Sequence, residues 1–196
     1  PGSTGPAPHD DLLAVVDKHG VIRHEFVANG PNKVWLWDIS EHPTREGKLY
    51  ICAIKDVWSN KIVGYSIDTR MKSSLARAAM RNAIALRSPH GTICHSDRGG
   101  QFRAKRTQNL LKNNGLVGSM GRAGAAGDNA AMDSSFALLQ KNVLNSRRWA
   151  TRDDLRLATV TWIERTYHRR RRQRVLGKLT PVEFEAIMTT QAASAA

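Results

Sequence analysis

The chain has 196 residues, 41% of them hydrophobic, which is enough for one domain with a substantial core. No apolar run approaches the roughly 20 residues that a membrane-spanning helix needs, so no membrane span is predicted. Thirty Lys and Arg against 17 Asp and Glu give a formal net charge of +13, which favours a polyanionic partner through phosphate contacts.

The two ends of the chain show little regular patterning. Residues 1–31 carry Pro, Gly, Asp and His with little periodicity and are predicted to be a linker or partly ordered lead-in. No signal peptide is predicted, because the first residues lack a basic segment followed by an apolar one. Residues 187–196 are predicted to be a disordered tail. Cys52 and Cys94 lie in apolar strand-like runs, which indicates buried thiols rather than a disulfide or a zinc site.

Strand signals become regular after residue 33. Apolar runs predict three strands, at 34–40, 49–57 and 62–67. The tetrapeptide Trp-Ser-Asn-Lys at 58–61 provides a turn, so the second and third strands are predicted to form a hairpin.

A helix, a strand, a helix and a strand are predicted next. Ser73 is placed to cap the first helix, whose small and apolar residues recur at helical spacing until Pro89. The remaining three elements are predicted at 92–95, 104–113 and 116–120. Three strands, a helix, a strand and further helices indicate an α/β architecture with a mixed sheet.

The last part of the chain is predicted to be mainly helical. Residues 121–129 are rich in Gly and Ala and are interpreted as a mobile loop, in which Asp128 or Asn129 caps the next helix. A long helix then begins at Thr151, whose hydroxyl can cap an acidic first turn. This helix is predicted to continue into a basic run at 169–174.

Three aspartates stand where folding could bring them together. Asp38 ends the apolar run of the first predicted strand, Asp97 follows the fourth strand, and Asp133 opens a predicted helix. Taken one at a time, each could be an ordinary turn or cap residue. Together, such carboxylates can hold a pair of divalent cations about 4 Å apart for phosphoryl transfer. Their joint spacing therefore predicts a metal-dependent site that acts on phosphodiesters.

The aspartates stand in motifs that occur together, in this order, in one family. The motifs are Trp-Asp-Ile-Ser at 37–40, Gly-Lys-Leu-Tyr at 47–50, His-Ser-Asp-Arg-Gly-Gly-Gln-Phe at 95–102, Ser-Met-Gly-Arg at 119–122, Asp-Asn-Ala-Ala-Met-Asp-Ser at 128–134, Tyr-His-Arg-Arg-Arg-Arg at 167–172 and Thr-Pro-Val-Glu-Phe at 180–184. The chain resembles the catalytic domain of the retroviral-integrase superfamily. More narrowly, it resembles bacterial insertion-sequence transposases whose catalytic part is encoded in a second, frameshifted reading frame.

The resemblance implies a ribonuclease-H-like fold over residues 32–186, with a mixed five-stranded sheet flanked by helices and a basic C-terminal helix. It implies DNA strand cleavage and strand transfer with two Mg²⁺ or Mn²⁺ ions, in the bacterial cytoplasm and associated with the nucleoid. Asp38 would be shared between the ions, Asp97 would bind the first and Asp133 the second. His95 and Asn129 would support the site.

The chain departs from the family pattern near the third aspartate. The family has Glu followed by Ser-Phe-Phe, where this chain has Asp133 followed by Ser-Ser-Phe. Gln140 stands where many relatives have a DNA-contacting Lys, and Trp37 stands where a small polar residue is usual. A carboxylate moved by about 1 Å can cost on the order of 100-fold in rate. A weakened enzyme, an inactive DNA-binding remnant and a ribonuclease-H-like nuclease therefore stay open as alternatives.

Double-stranded DNA, as element ends and as target, is the partner that the resemblance implies. Five arginines within the six positions 169–174 exceed what a helix end needs, which favours phosphate contact, and Arg147 and Arg148 could extend the same basic face. A homo-oligomer is expected. An upstream helix-turn-helix segment or subunit is also expected, because no helix-turn-helix pattern is visible in this sequence. The predicted DNA-binding residues are Arg98, Gln101, Lys141, Arg169, Arg170, Arg171, Arg172 and Arg174.

Overall fold

The computed structural model describes residues 6–121 and 130–194. The strands are β1 Ala14–Val16, β2 Ile22–His24, β3 Val34–Thr44, β4 Gly47–Asp56, β5 Ile62–Asp68, β6 Ile93–Ser96 and β7 Val117–Met120. The helices are α1 Ser73–Arg87, α2 Gly100–Arg103, α3 Lys105–Asn113, α4 Ala130–Leu139, α5 Arg152–Thr161 and α6 Pro181–Ser194. A π-helical segment extends α4 over Gln140–Leu144 and α5 over Trp162–Tyr167, and a 3₁₀ turn spans Arg174–Leu176.

Five strands form the central sheet, in the order β5-β4-β3-β6-β7. β3, β4 and β5 are antiparallel neighbours, whereas β6 and β7 run parallel to β3. Because side chains alternate along a strand, the sheet buries two apolar faces. Leu36 packs with the residues of α4 and α5, and its neighbours Trp35 and Trp37 pack with those of α1 and α3. The predicted mixed five-stranded sheet flanked by helices is confirmed.

The amino-terminal segment contains a hairpin of two short strands, β1 and β2. Its buried Leu13 packs in the same core cluster as α4 and α5. The segment also covers β7, which is an edge strand of the sheet: the Met120 backbone N–H donates to the Asp10 carbonyl over 3.1 Å. Residues 6–31 thus lie against the sheet rather than apart from it.

The basic run at 169–174 is not a helix end, which corrects the sequence prediction. The π-helical extension of α5 stops at Tyr167, whose hydroxyl donates to the Asn60 carbonyl over 2.8 Å. His168 Nε2 accepts from the Ile62 backbone N–H over 3.2 Å. These two contacts fix the chain against the turn between β4 and β5, so it changes direction there and the arginines follow as a turn and a loop.

Residues 187–194 of the predicted disordered tail are part of α6, which continues to Ser194. The helix begins with a capping box: the Thr180 hydroxyl accepts from the Glu183 backbone N–H, and the Glu183 carboxylate accepts from the Thr180 backbone N–H. Glu185 then joins the helix to Arg87 of α1 through two bonds of 3.0 and 2.9 Å. An anchored first turn allows the helix to propagate into the small residues that follow.

Two expectations about the composition can be compared with the structure. Cys52 and Cys94 are buried and free, as predicted. Among the helices that the structure describes, none combines the length and the apolar character needed to cross a membrane.

Candidate active site

The sheet register places Asp38 and Asp97 side by side. β3 and β6 are parallel neighbours in which Trp37 pairs with Ser96. Asp38 and Asp97 are the next residues in each segment, so they reach the same level of the sheet. Asp38 stays within β3, opposite Ala53 of β4, whereas Asp97 lies in the loop that follows β6.

Asp133 joins this pair from the first turn of α4, which packs against β3. The pKa of Asp38 shows that the other two carboxylates are nearby. The pKa of Asp38 is raised to about 7, first by burial and then by the Asp97 and Asp133 carboxylates, although the bond of 2.7 Å from the Ile39 backbone N–H lowers it. The three predicted carboxylates therefore share one electrostatic environment.

The site has an excess of negative charge. Asp97 and Asp133 are exposed and Asp38 is half-buried. The Asp97 carboxylate is oriented by the Gly99 backbone N–H over 2.9 Å. Within residues 6–121 and 130–194, no Lys or Arg forms an ion pair with any of the three carboxylates. Oxygen ligands grouped without a protein cation are the donor set that Mg²⁺ prefers.

A buried lysine, Lys55 of β4, holds the helix that bears Asp133. Its side-chain ammonium donates to the Ala131 carbonyl over 2.8 Å and to the Ser135 hydroxyl over 2.9 Å. These two acceptors flank Asp133 on α4. Lys55 is only 5% exposed, and burial lowers its pKa to about 8. The sequence analysis missed Lys55; its only sequence signal is a lysine inside an apolar strand.

Comparison with known proteins agrees with this geometry. Residues 28–126 match the model of the integrase core domain family. The chain is 36% identical to the transposase for insertion sequence element IS904 of Lactococcus lactis over 173 residues, which are 88% of this chain and 68% of that protein. It belongs to the integrase core domain family. It is also 36% identical to the Escherichia coli transposase InsF for insertion sequence IS3A, of which it covers only 58%.

Solved integrase structures share the fold. The catalytic core domain of HTLV-2 integrase, solved in complex with magnesium, superposes with a TM-score of 0.64 at 16% identity, covering 81% of this chain and 99% of that one. The catalytic core domain of BIV integrase gives a TM-score of 0.59 at 20% identity, covering 82% and 99%. The ribonuclease-H-like fold is confirmed.

The two predicted supporting residues have different outcomes. His95 lies on β6 and is fully buried, with Nδ1 2.9 Å from the Ser119 hydroxyl of β7. Its ring therefore lies in the interior of the domain, beside the end of β6 that leads to Asp97. Asn129 and the alternative cap Asp128 lie outside the described residues.

Three of the predicted DNA-binding residues lie near the aspartates. Arg98 Nε donates to the Gly121 carbonyl over 2.7 Å, and Gln101 Nε2 donates to the Met71 carbonyl over 3.3 Å. Arg98 follows Asp97 directly and Gln101 lies on α2, so the two bonds fasten the segment after Asp97 to neighbouring parts of the chain. Lys141 is exposed about two helical turns after Asp133.

The arginine run at 169–174 lies away from the three aspartates. It packs beside the turn between β4 and β5, at the end of the sheet where β6 begins, whereas Asp97 lies where β6 ends. Arg172 is also engaged within the protein: it donates to the Lys178 carbonyl over 3.1 Å and pairs with Glu183 over 3.2 Å. DNA contact by the run stays a prediction, but this surface is separate from the carboxylate site.

A second basic surface was only partly anticipated. A groove of about 800 Å³ separates the end of the β3–β4 hairpin from the π-helical extension of α4. It therefore lies between the elements that carry Asp38 and Asp133. Arg147 lies over the Trp149 ring at 4.2 Å. The groove is lined by Glu41, His42, Pro43, Thr44, Arg45, Gln140, Leu144, Asn145, Arg147, Arg148 and Trp149.

Proposed function

We propose that this domain cleaves DNA strands and joins them to other DNA, as the catalytic part of an insertion-sequence transposase. The observation that carries the proposal is that Asp38, Asp97 and Asp133 share one site. Among the described residues, no Lys or Arg forms an ion pair with them. The transposase names of its relatives support it. Double-stranded DNA is the proposed partner, as element ends and as target.

The donor set fits divalent metal ions. Two Mg²⁺ or Mn²⁺ ions held by the three aspartates would supply the positive charge that activates an attacking oxygen and stabilises a leaving one. Contacts within the chain hold the three aspartates in position. β3 fixes Asp38 between two strands, the Gly99 backbone N–H orients Asp97, and Lys55 holds the helix of Asp133. Asp38 must release a proton to bind metal, because its pKa is about 7.

The larger assembly is also a proposal. The HTLV-2 integrase core has been solved in trimeric and dimeric forms, which supports a homo-oligomer for this domain. We expect the sequence of the element ends to be read by an upstream helix-turn-helix segment or subunit.

The decisive experiment is metal-dependent cleavage and joining of a duplex that carries the element's own terminal sequence. Asp97→Asn serves as the inactive control. Cleavage followed by joining supports a transposase. Cleavage without joining indicates a ribonuclease-H-like nuclease, and DNA binding without either reaction indicates an inactive remnant. The last two alternatives are kept because Asp133 stands where the family has Glu.

Lys55→Met should separate positioning from stability. The substitution removes a buried ammonium, so thermal stability should hold or rise. It also removes the bonds to Ala131 and Ser135, so we expect cleavage to fall about 10- to 100-fold as Asp133 shifts. Lys48→Met is the matched control, since Lys48 lies on the same strand and is exposed. Equal cleavage by the two variants would remove Lys55 from this role.

Charge reversal should distinguish the two basic surfaces. One variant combines Arg45→Glu with Arg148→Glu in the groove, and the other combines Arg169→Glu with Arg170→Glu. Log affinity falls as log salt rises, and each lost phosphate contact makes the slope of this fall less steep by about 0.9. We expect both variants to flatten this slope on unrelated duplexes. Only the groove variant should also slow cleavage of DNA bound at saturation, because the groove lies between the β3–β4 hairpin, which carries Asp38, and the extension of α4, which carries Asp133. An unchanged slope would remove that surface from the DNA interface.

A further inference from the structure

A second cluster of ligand-type side chains shares no residue with the three aspartates, although its His95 lies two residues before Asp97. It joins Asp11, which precedes β1, to His24 of β2 and His95 of β6. The ligand atoms of the three side chains all lie within 4.8 Å of one another. His24 Nε2 is 2.7 Å from one Asp11 oxygen, and His95 Nδ1 is 4.0 Å from the other. Residues distant in sequence therefore converge on one small volume.

The cluster is buried and its members are held in place. The side chains of His95, His24 and Asp11 are 0%, 6% and 9% exposed. Phe26 stacks with the His24 ring at 6.1 Å and meets the His95 ring edge-on at 6.5 Å. The Ser119 hydroxyl lies 2.9 Å from His95 Nδ1 and accepts from the backbone N–H of residue 12 over 2.9 Å.

We infer that Asp11, His24 and His95 form a binding site for a transition-metal cation of the Zn²⁺ or Co²⁺ type. Two imidazoles and one carboxylate suit such ions, whereas Mg²⁺ prefers oxygen ligands alone. Metal–nitrogen bonds of about 2.0–2.1 Å need ligand atoms closer than 4.8 Å, so the side chains must close slightly around the ion. The bound ion would fasten the amino-terminal hairpin to β6, the strand that leads to Asp97.

Visible absorption of bound Co²⁺ tests the inference without DNA or activity. The parent protein carries Asp38→Asn and Asp133→Asn, so that the carboxylate site does not compete. We expect one Co²⁺ ion per chain, displaced by Zn²⁺ but not by a tenfold excess of Mg²⁺. Zn²⁺ should raise the melting temperature of the parent by several degrees, and EDTA should reverse the rise.

Variants assign the ion to these residues. His24→Gln and Asp11→Asn keep hydrogen-bonding groups in place but should lose the Co²⁺ absorption. His19→Ala, at the exposed turn of the same hairpin, should keep it. An Asp11–His24 hydrogen bond without metal would give no Co²⁺ absorption in the parent, and that result overturns the inference even if a variant folds poorly. Equal absorption in His24→Gln and His19→Ala overturns it as well. Neither result bears on the proposed strand cleavage.

Discussion

Asp97→Asn and Asp38→Asn should each lower metal-dependent strand cleavage on the order of 1,000-fold or more. Asparagine has nearly the shape of aspartate but no charge, so it leaves the backbone in place and removes a ligand. The same assay that measures cleavage and joining of element ends gives the result. Asp153→Asn is the matched control, because Asp153 is 93% exposed and lies on α5, outside the carboxylate site.

Asp38→Asn should also stabilise the metal-free domain at neutral and alkaline pH. The pKa of Asp38 is raised from 3.8 to about 7, first by burial and then by Asp97 and Asp133. A raised acid pKa gives stability that is fully present below pH 3.8 and is lost as the pH rises towards 7. The neutral variant escapes that loss. It should exceed wild type above pH 7 by on the order of 1–4 kcal/mol and match it near pH 4.

Thermal unfolding in EDTA across this pH range measures the difference. Asp153→Asn should follow the wild-type curve. If Asp38→Asn or Asp97→Asn unfolds well below wild type without metal, these carboxylates stabilise the fold itself. The assignment of a metal site to them would then be wrong.

Local patterns predicted the five strands of the central sheet and the two central aspartates, because both depend on nearby residues. Short apolar runs marked β3 and β6, and an aspartate at the end of each run is visible in the sequence. Their alignment depends on the register between β3 and β6, which pairs Trp37 with Ser96. No local pattern encodes that pairing; the family motifs implied it.

The contacts that the sequence did not reveal join distant segments. Lys55 bonds to residues 76 and 80 positions further along the chain, so a lysine in a strand gives no sign of its partner. The arginine run was predicted to be helical because helical signals continue to it. The bond between Tyr167 and Asn60 ends the helix, and its partners are 107 residues apart. Contacts between distant segments therefore determine both the role of Lys55 and the end of the helix.

Asp133→Glu should raise Mg²⁺-dependent cleavage by about 10- to 100-fold. Aspartate is one methylene shorter than the glutamate of the family, and Mg²⁺ tolerates little departure from octahedral geometry. The bonds from Lys55 to Ala131 and Ser135 fix α4, so the helix cannot move inward to compensate. Asp133 is exposed, which leaves room for the longer side chain. Parallel rate measurements in Mg²⁺ and Mn²⁺ should show the smaller gain in Mn²⁺, which accepts distorted sites more readily.

The comparison needs Asp133→Ala and the double variant Lys55→Met/Asp133→Glu. Asp133→Ala should be inactive; if it matches wild type, Asp133 is not a metal ligand. The double variant should lose much of the gain, because the longer carboxylate helps only while α4 is held in place. An Asp133→Glu variant less active than wild type in both metals would mean that the pocket is adapted to aspartate. The weakened-enzyme alternative would then lose its main support, because the site would work with aspartate at position 133 in a geometry that differs from the family's.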